Sequence, residues 1–142
     1  MSDAERFMEK FTAIWAAPDP DRFTELFHAE GKLLHPGMEQ PISAEEIPDY
    51  IRGIKAALPD VSLAVERWLA GEDFVLIEWV MGGTLFGRDV RWAGADRFTL
   101  RGDRATDGVA YFDSLPLWSL VDRSMARESS LEEAVAALTP TS

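Results

Sequence analysis

From Val61 the spacing of apolar residues changes from the three-and-four rhythm of helices to strict alternation, and the alternation runs on to Asp113. Four strands are predicted: Val61–Leu69, Phe74–Met81, Val90–Leu100 and Ala105–Asp113. Gly71-Glu-Asp73 turns the first pair, a longer loop passes through Gly87-Arg-Asp89, and Gly102-Asp103 makes a tight hairpin. Four long strands on short turns pair as an antiparallel meander, and one face of that sheet must be covered.

Residues 1–60 supply the cover. Ser2-Asp-Ala-Glu5 has capping-box spacing, and Phe7, Met8, Phe11, Ile14 and Trp15 recur behind it on one helical stripe. Ala17-Pro-Asp-Pro-Asp21 stops that helix. A shorter one is predicted to start at Asp19 as cap with Pro20 in first position, burying Phe23, Leu26 and Phe27. A short strand, Gly31–His35, closes on Pro36-Gly37. Ser43-Ala-Glu-Glu46 opens a third helix with Ile47, Tyr50, Ile51, Ile54 and Leu58 on its apolar side, ended by Ala57-Leu-Pro-Asp60. The expected fold is α+β: a curved antiparallel sheet wrapped over about three N-terminal helices, enclosing a hydrophobic pocket. It should fill residues 1–128, with a short helix opened by Ser130-Leu-Glu-Glu133 and a polar tail in residues 129–142.

Strand parity selects the inward residues. In Arg91-Trp-Ala-Gly-Ala-Asp-Arg-Phe-Thr-Leu-Arg101, one face carries Trp92, Gly94, Asp96, Phe98 and Leu100, and the other carries the arginines. Asp96 is thus a carboxyl on an otherwise dry face. Val75, Ile77, Trp79 and Met81 face the same way on the preceding strand. The expected pocket wall is Trp79, Met81, Trp92, Phe98 and Phe112, with Phe11, Trp15 and Tyr50 as lining from the helices. Such an aromatic wall suits a flat, greasy ligand.

Composition narrows the chemistry. A chain of 142 residues without cysteine excludes disulfides and thiolate catalysis, and two histidines exclude a His-rich zinc site. No metal and no redox cofactor is expected. A formal net charge of −11 argues against nucleic acid and anionic membrane as partners. No apolar run approaches the roughly 20 residues of a membrane span, and no basic-then-apolar leader pattern opens the sequence. The expected setting is the cytoplasm.

The order of these elements, with LHPG after the first strand, ALPDV before the meander and YFD at its close, resembles the SnoaL-like group of the nuclear-transport-factor-2-like superfamily. The resemblance implies a cone-shaped α+β barrel, a pocket in the cone and a homodimer. It also implies residue roles. In the ketosteroid isomerase branch a carboxylate base precedes a proline after the first strand, where this chain has His35. A protonated aspartic acid in a D-x-F context matches Asp96 in Asp96-Arg97-Phe98, and the partner tyrosine corresponds to Phe11, which has no hydroxyl. The limonene epoxide hydrolase branch needs an arginine and two aspartates where Trp79, Met81 and Ala110 stand, which excludes that mechanism.

Taken with the resemblance, the residues point to a cofactor-independent acid–base enzyme (isomerase, dehydratase, lyase or cyclase) acting beside a carbonyl or hydroxyl of a small hydrophobic substrate. His35 is the expected base, since an unshifted imidazole titrates near 6.5. Asp96 is the expected acid or oxyanion donor, because burial raises a carboxyl pKa. The alternatives are a non-catalytic ligand-binding or protein-interaction module on the same fold; for Asp96, a structural pairing with a buried indole or with Arg88 or Arg91; and for His35, an exposed turn histidine before Pro36-Gly37.

Overall fold

The computed structural model describes residues 1–115 and 117, and the chain divides into two compact units, Met1–Phe112 and Asp113–Ser142. Of the second unit, Asp113 Oδ1 accepts from the Leu115 N–H at 3.0 Å and the Leu117 N–H donates to the Ser114 carbonyl at 3.1 Å. The helix expected from Ser130, and the expected boundary at residue 128, lie outside the described residues.

In the first unit α1 spans Asp3–Ala16, with the Ser2 and Glu5 capping box formed in both directions. Phe7, Met8, Phe11 and Ile14 are its buried stripe. The segment Pro20–Leu26 follows as a 3₁₀ helix capped by Asp19 and buries Phe23 and Leu26. Helix α2 spans Ile47–Ala57 behind a one-turn 3₁₀ lead-in, Ala44–Glu46, where Ser43 and Glu46 close the second capping box. Arg52 pairs with Asp49 of α2 and with Asp21, and Lys55 Nζ donates to the Pro18 carbonyl at 2.8 Å, so α2 is tied to the segment after α1.

The sheet has six strands in the order β2-β1-β6-β5-β4-β3: β1 Phe27–Leu34, β2 Ile42–Ser43, β3 Ser62–Ala70, β4 Phe74–Leu85, β5 Arg88–Arg101 and β6 Arg104–Tyr111. It is curved and does not close. The expectation of a purely antiparallel sheet holds for the β3–β6 meander and fails at β1, which lies parallel to β6. β2, the 3₁₀ turn Ala44–Glu46 and α2 lie between β1 and the meander, so the chain crosses to the far edge at β3 and the meander brings β6 back alongside β1 in the same direction. β1 also starts four residues earlier than predicted, at Phe27.

The turn between β4 and β5 is also shorter than expected. The expected long loop is a two-residue hairpin, Phe86-Gly87, because Leu85 pairs with Arg88 and Thr84 with Asp89. Both turn residues have positive φ, 51° and 74°, as a type I′ turn requires. Strand β4 runs straight through Gly82-Gly83. Asp60 accepts from both the N–H and the hydroxyl of Thr84 at 2.8 Å, and a Cβ on Gly83 would lie 3.2 Å from Leu58 and 3.3 Å from Asp60. The glycine lets the strand approach the end of α2.

The inner sheet face and the helices share one apolar layer. Val75, Ile77, Phe98 and Ala105 from the sheet and Phe7, Phe11, Ile14, Leu26 and Ile47 from the helices are at most 4 % exposed. Each large side chain so buried stabilises the fold by about 1.5–3 kcal/mol. Phe98 anchors the layer: its ring centroid lies 5.0 Å from Phe7, 5.8 Å from Phe11 and 5.9 Å from Phe27.

Candidate active site

The alternation read from the sequence places Asp96 as expected. Its strand neighbours on the inner face are Ile77 of β4 and Ala110 of β6, and it is 9 % exposed. Burial pushes its carboxyl up to about 7. The Trp79 indole lies close enough to oppose that rise, but its N–H does not close a hydrogen bond. No arginine pairs with Asp96 among the described residues, which removes the pairing with Arg88 or Arg91.

His35 is positioned by the turn that ends β1. The Met38 N–H donates to the His35 carbonyl at 3.2 Å, with Pro36 and a left-handed Gly37 (φ 89°) between them, the pattern of a type II turn. The His35 N–H in turn meets the Met38 sulfur at 3.3 Å. Leu33 pairs with Gly108 and Leu34 with Val109. His35 follows directly on Leu34 at the end of β1, which flanks β6, and β6 in turn pairs with β5, where Asp96 stands opposite Ala110. By alternation with buried Leu33, His35 is expected on the inner face. Two strand spacings, about 10 Å, separate β1 from β5 across β6.

The His35 ring is held from two sides. Tyr50 of α2 lies edge-on at 5.0 Å, with its hydroxyl 2.7 Å from Nδ1. Phe112 stands edge-on at 6.3 Å and also packs against Trp79 at 5.7 Å. A continuous chain of rings therefore runs from Tyr50 through His35 and Phe112 to Trp79, beside Asp96. Burial pushes His35 down to about 4 and the Tyr50 phenol up to about 12. Around pH 7 the imidazole is neutral, and it is a weaker base than its unshifted value implies.

The remaining expected lining residues divide into two groups. Trp92, Phe112 and Tyr50 are half-buried and border the site. Trp79 (2 %), Met81 (8 %), Phe98 (4 %) and Phe11 (1 %) belong to the close-packed layer beneath. Trp15 packs edge-on against Phe23 at 5.1 Å, a contact between α1 and the 3₁₀ segment. The indole N–H groups of Trp79 and Trp92 are buried without a hydrogen-bond partner among the described residues; for Trp92, which has no carboxyl beside it as Trp79 has Asp96, that is an uncommon state that costs about 1–3 kcal/mol unless an acceptor relieves it. No cluster of three or more His, Asp or Glu side chains suited to a metal occurs among the described residues. Sequence reasoning missed the Tyr50–His35 bond and the bridging place of Phe112, since neither leaves a local pattern.

A curved, unclosed sheet over three helices, with the Asp96 carboxyl on its apolar inner face, is the nuclear-transport-factor-2-like fold. Solved structures agree. A protein from Catenulispora acidiphila with a ketosteroid isomerase-like fold, in complex with trimethylamine, is 22% identical, with a TM-score of 0.69 over 75% of this chain and 85% of that one. AclR, a proposed hydroxylase from Streptomyces galilaeus, is 18% identical, with a TM-score of 0.73 over 86% and 98%. IdmH, a proposed polyketide cyclase from Streptomyces antibioticus, is 16% identical, with a TM-score of 0.72 over 83% and 97%. At these identities the likeness is one of fold. No curated protein matches the sequence. Residues 8–108 match the SnoaL-like domain, and the chain belongs to that family.

Proposed function

We propose that this protein is a cofactor-independent acid–base enzyme acting next to a carbonyl or hydroxyl of a small hydrophobic, aromatic or polycyclic molecule. The observation that carries this reading is the buried Asp96 carboxyl, without a charged partner among the described residues, on a face that the Trp79 and Phe112 rings link to the neutral His35 imidazole. A group that titrates near 7 both takes and returns protons efficiently at neutral pH. As carboxylate, Asp96 removes a proton from the carbon beside the carbonyl, and the electron pair moves onto the oxygen. The protonated Asp96 then returns the proton to carbon or delivers it to a departing hydroxyl. Isomerisation, dehydration and aldol-type cyclisation all fit this sequence. His35, expected from the sequence as the base, is less suited to that role at about 4 than Asp96 is at about 7.

A non-catalytic ligand-binding role is favoured by a different observation. The buried Trp92 N–H, without a partner among the described residues, suits an oxygen-bearing ligand whether or not chemistry follows. Proton exchange separates the two readings. A panel of enolisable aromatic and polycyclic ketones is incubated with protein in D2O, and deuterium uptake is followed by mass spectrometry. Uptake catalysed by wild type and reduced about 100-fold or more in Asp96→Asn supports the enzyme. Ligand binding without uptake, or uptake unaffected by Asp96→Asn and His35→Ala, sinks it.

A homodimer in the cytoplasm completes the proposal. Leu69 (58 %), Leu76 (36 %) and Tyr111 (56 %) are exposed on the outer sheet face beside the Arg67–Glu78 and Arg97–Asp107 pairs, and a second copy would pack on that mixed face. Light scattering tests it: a monomeric mass at micromolar concentration removes the dimer.

A further inference from the structure

We propose that Tyr50 is a positioning residue that donates its hydroxyl hydrogen to His35 Nδ1, fixing the proton of the neutral ring on Nε2 and making His35 a hydrogen-bond donor to the substrate oxygen. The proposal rests on the acid–base reading above and assigns its second role: Asp96 moves the proton, and His35, set by Tyr50, holds the substrate oxygen.

Tyr50 Oη and His35 Nδ1 lie 2.7 Å apart, a hydrogen bond that one of the two groups must donate. A phenol is a stronger acid than a neutral imidazole N–H, and an imidazole nitrogen is a stronger base than a phenol oxygen. The O–H···N arrangement is therefore the stronger of the two. It also leaves neither Nδ1 nor the hydroxyl hydrogen unused, and each has no other partner among the described residues. Burial keeps the phenol protonated and the imidazole neutral, so neither competes as an ion.

The ring has little freedom to choose otherwise. The Pro36-Gly37 turn holds the backbone, and Tyr50 and Phe112 stand edge-on to the ring at interplanar angles of 88° and 87°. Tyr50 is itself set by α2, through Ile47 and Ile51, 1 % and 4 % exposed, on the same helical face. With Nδ1 occupied, Nε2 is the nitrogen left to meet a ligand, and it has no partner among the described residues. A donor fixed before the substrate arrives stabilises a developing oxyanion without reorganising.

The tautomer can be read without any substrate. In the 15N-labelled full-length protein at pH 7, two-bond nitrogen–proton spectra distinguish protonated from acceptor ring nitrogens. The His28→Gln variant assigns the two histidines. We expect Nδ1 of His35 as the acceptor-type nitrogen and Nε2 as the protonated one, with Tyr50→Phe moving the ring towards a mixture of tautomers. Nε2 as the acceptor type in wild type, or an unchanged His35 spectrum in a folded Tyr50→Phe variant, overturns the proposal. With a substrate from the deuterium screen, Tyr50→Phe should lower kcat by about tenfold or more while KM changes by less than about threefold. Equal loss in KM and none in kcat would make Tyr50 a binding contact and overturn the positioning role. Failure of the acid–base reading would instead show as no deuterium uptake, with the tautomer result standing independently.

Discussion

The Trp79 ring lies directly over Gly94: a Cβ built on that glycine would come within 2.5 Å of the indole and within 2.9 Å of the Phe112 Cβ. Trp79 and Gly94 are strand partners, so the missing side chain on β5 is the space that lets the indole lie flat beside Asp96. Gly94→Ala should displace both rings and destabilise the protein by about 1–3 kcal/mol, the cost of overpacking a close-packed layer. Urea unfolding followed by tryptophan fluorescence measures it. A change below about 0.5 kcal/mol would mean that the ring has room to move.

Asp96 also couples the site to stability. Its carboxyl titrates at about 7 in the folded chain against 3.8 when free of the fold. Between these values the native state holds a proton that the unfolded state has released, so stability falls as pH rises. About three pKa units correspond to a limit on the order of 4 kcal/mol. Asp96→Asn removes this penalty. Its stability relative to wild type should improve by about 1–4 kcal/mol on going from pH 4 to pH 8, measured by denaturant titration at both. A pH-independent difference would refute the raised carboxyl.

His35 contributes with the opposite sign. Its folded value of about 4 lies below 6.5, so between them the unfolded state binds the extra proton and stability rises with pH. From about pH 4 to 6.5 the contributions of His35 and Asp96 oppose each other. Removing one should uncover the other. Relative to wild type, His35→Gln should lose stability with rising pH in this window and Asp96→Asn should gain it, each by up to about 1.4 kcal/mol per pH unit. Parallel profiles for all three proteins would contradict both shifts.

The unpartnered indole of Trp92 separates binding from folding. Trp92→Phe keeps an aromatic ring and deletes a buried donor that no described residue satisfies. The stability loss should stay below about 1.5 kcal/mol, because removing an unsatisfied group offsets lost packing. Affinity for an oxygenated aromatic such as a hydroxynaphthoquinone should fall about fivefold or more, as expected for losing one hydrogen bond of roughly 1 kcal/mol. Calorimetric titration of both proteins would show it, and equal affinity would free the indole from any role in recognition.

The β4–β5 turn offers a test far from chemistry. Phe86 is 53 % exposed and adopts φ 51°, a conformation costly for an aromatic residue and easy for asparagine. Phe86→Asn should stabilise the hairpin by about 0.5–1 kcal/mol. A loss of stability would mean that the exposed ring makes a contact worth more than the strain.

Much of this architecture was legible in local patterns. Both capping boxes, at Ser2 and Ser43, form as read, and the β5 alternation put Asp96, Phe98 and Trp92 on the correct face. Those features depend on residues within a turn or a strand of one another. The β4–β5 turn was misread because a phenylalanine at positive φ carries no turn signature, and Gly82-Gly83 imitates a break. The direction of β1 was misread because a two-residue period is the same in parallel and antiparallel pairing.

The sequence by itself determined an α+β chain, the face of each meander strand and the carboxyl planted among apolar residues, since periodicity and residue chemistry are local properties. Only the tertiary structure decided what that carboxyl and the histidine are. Burial, set by helices and strands distant in sequence, moved Asp96 up and His35 down, and a phenol fifteen residues away came to rest on Nδ1. The proton affinity of a side chain depends on how much water its neighbours remove, and those neighbours are chosen by the fold.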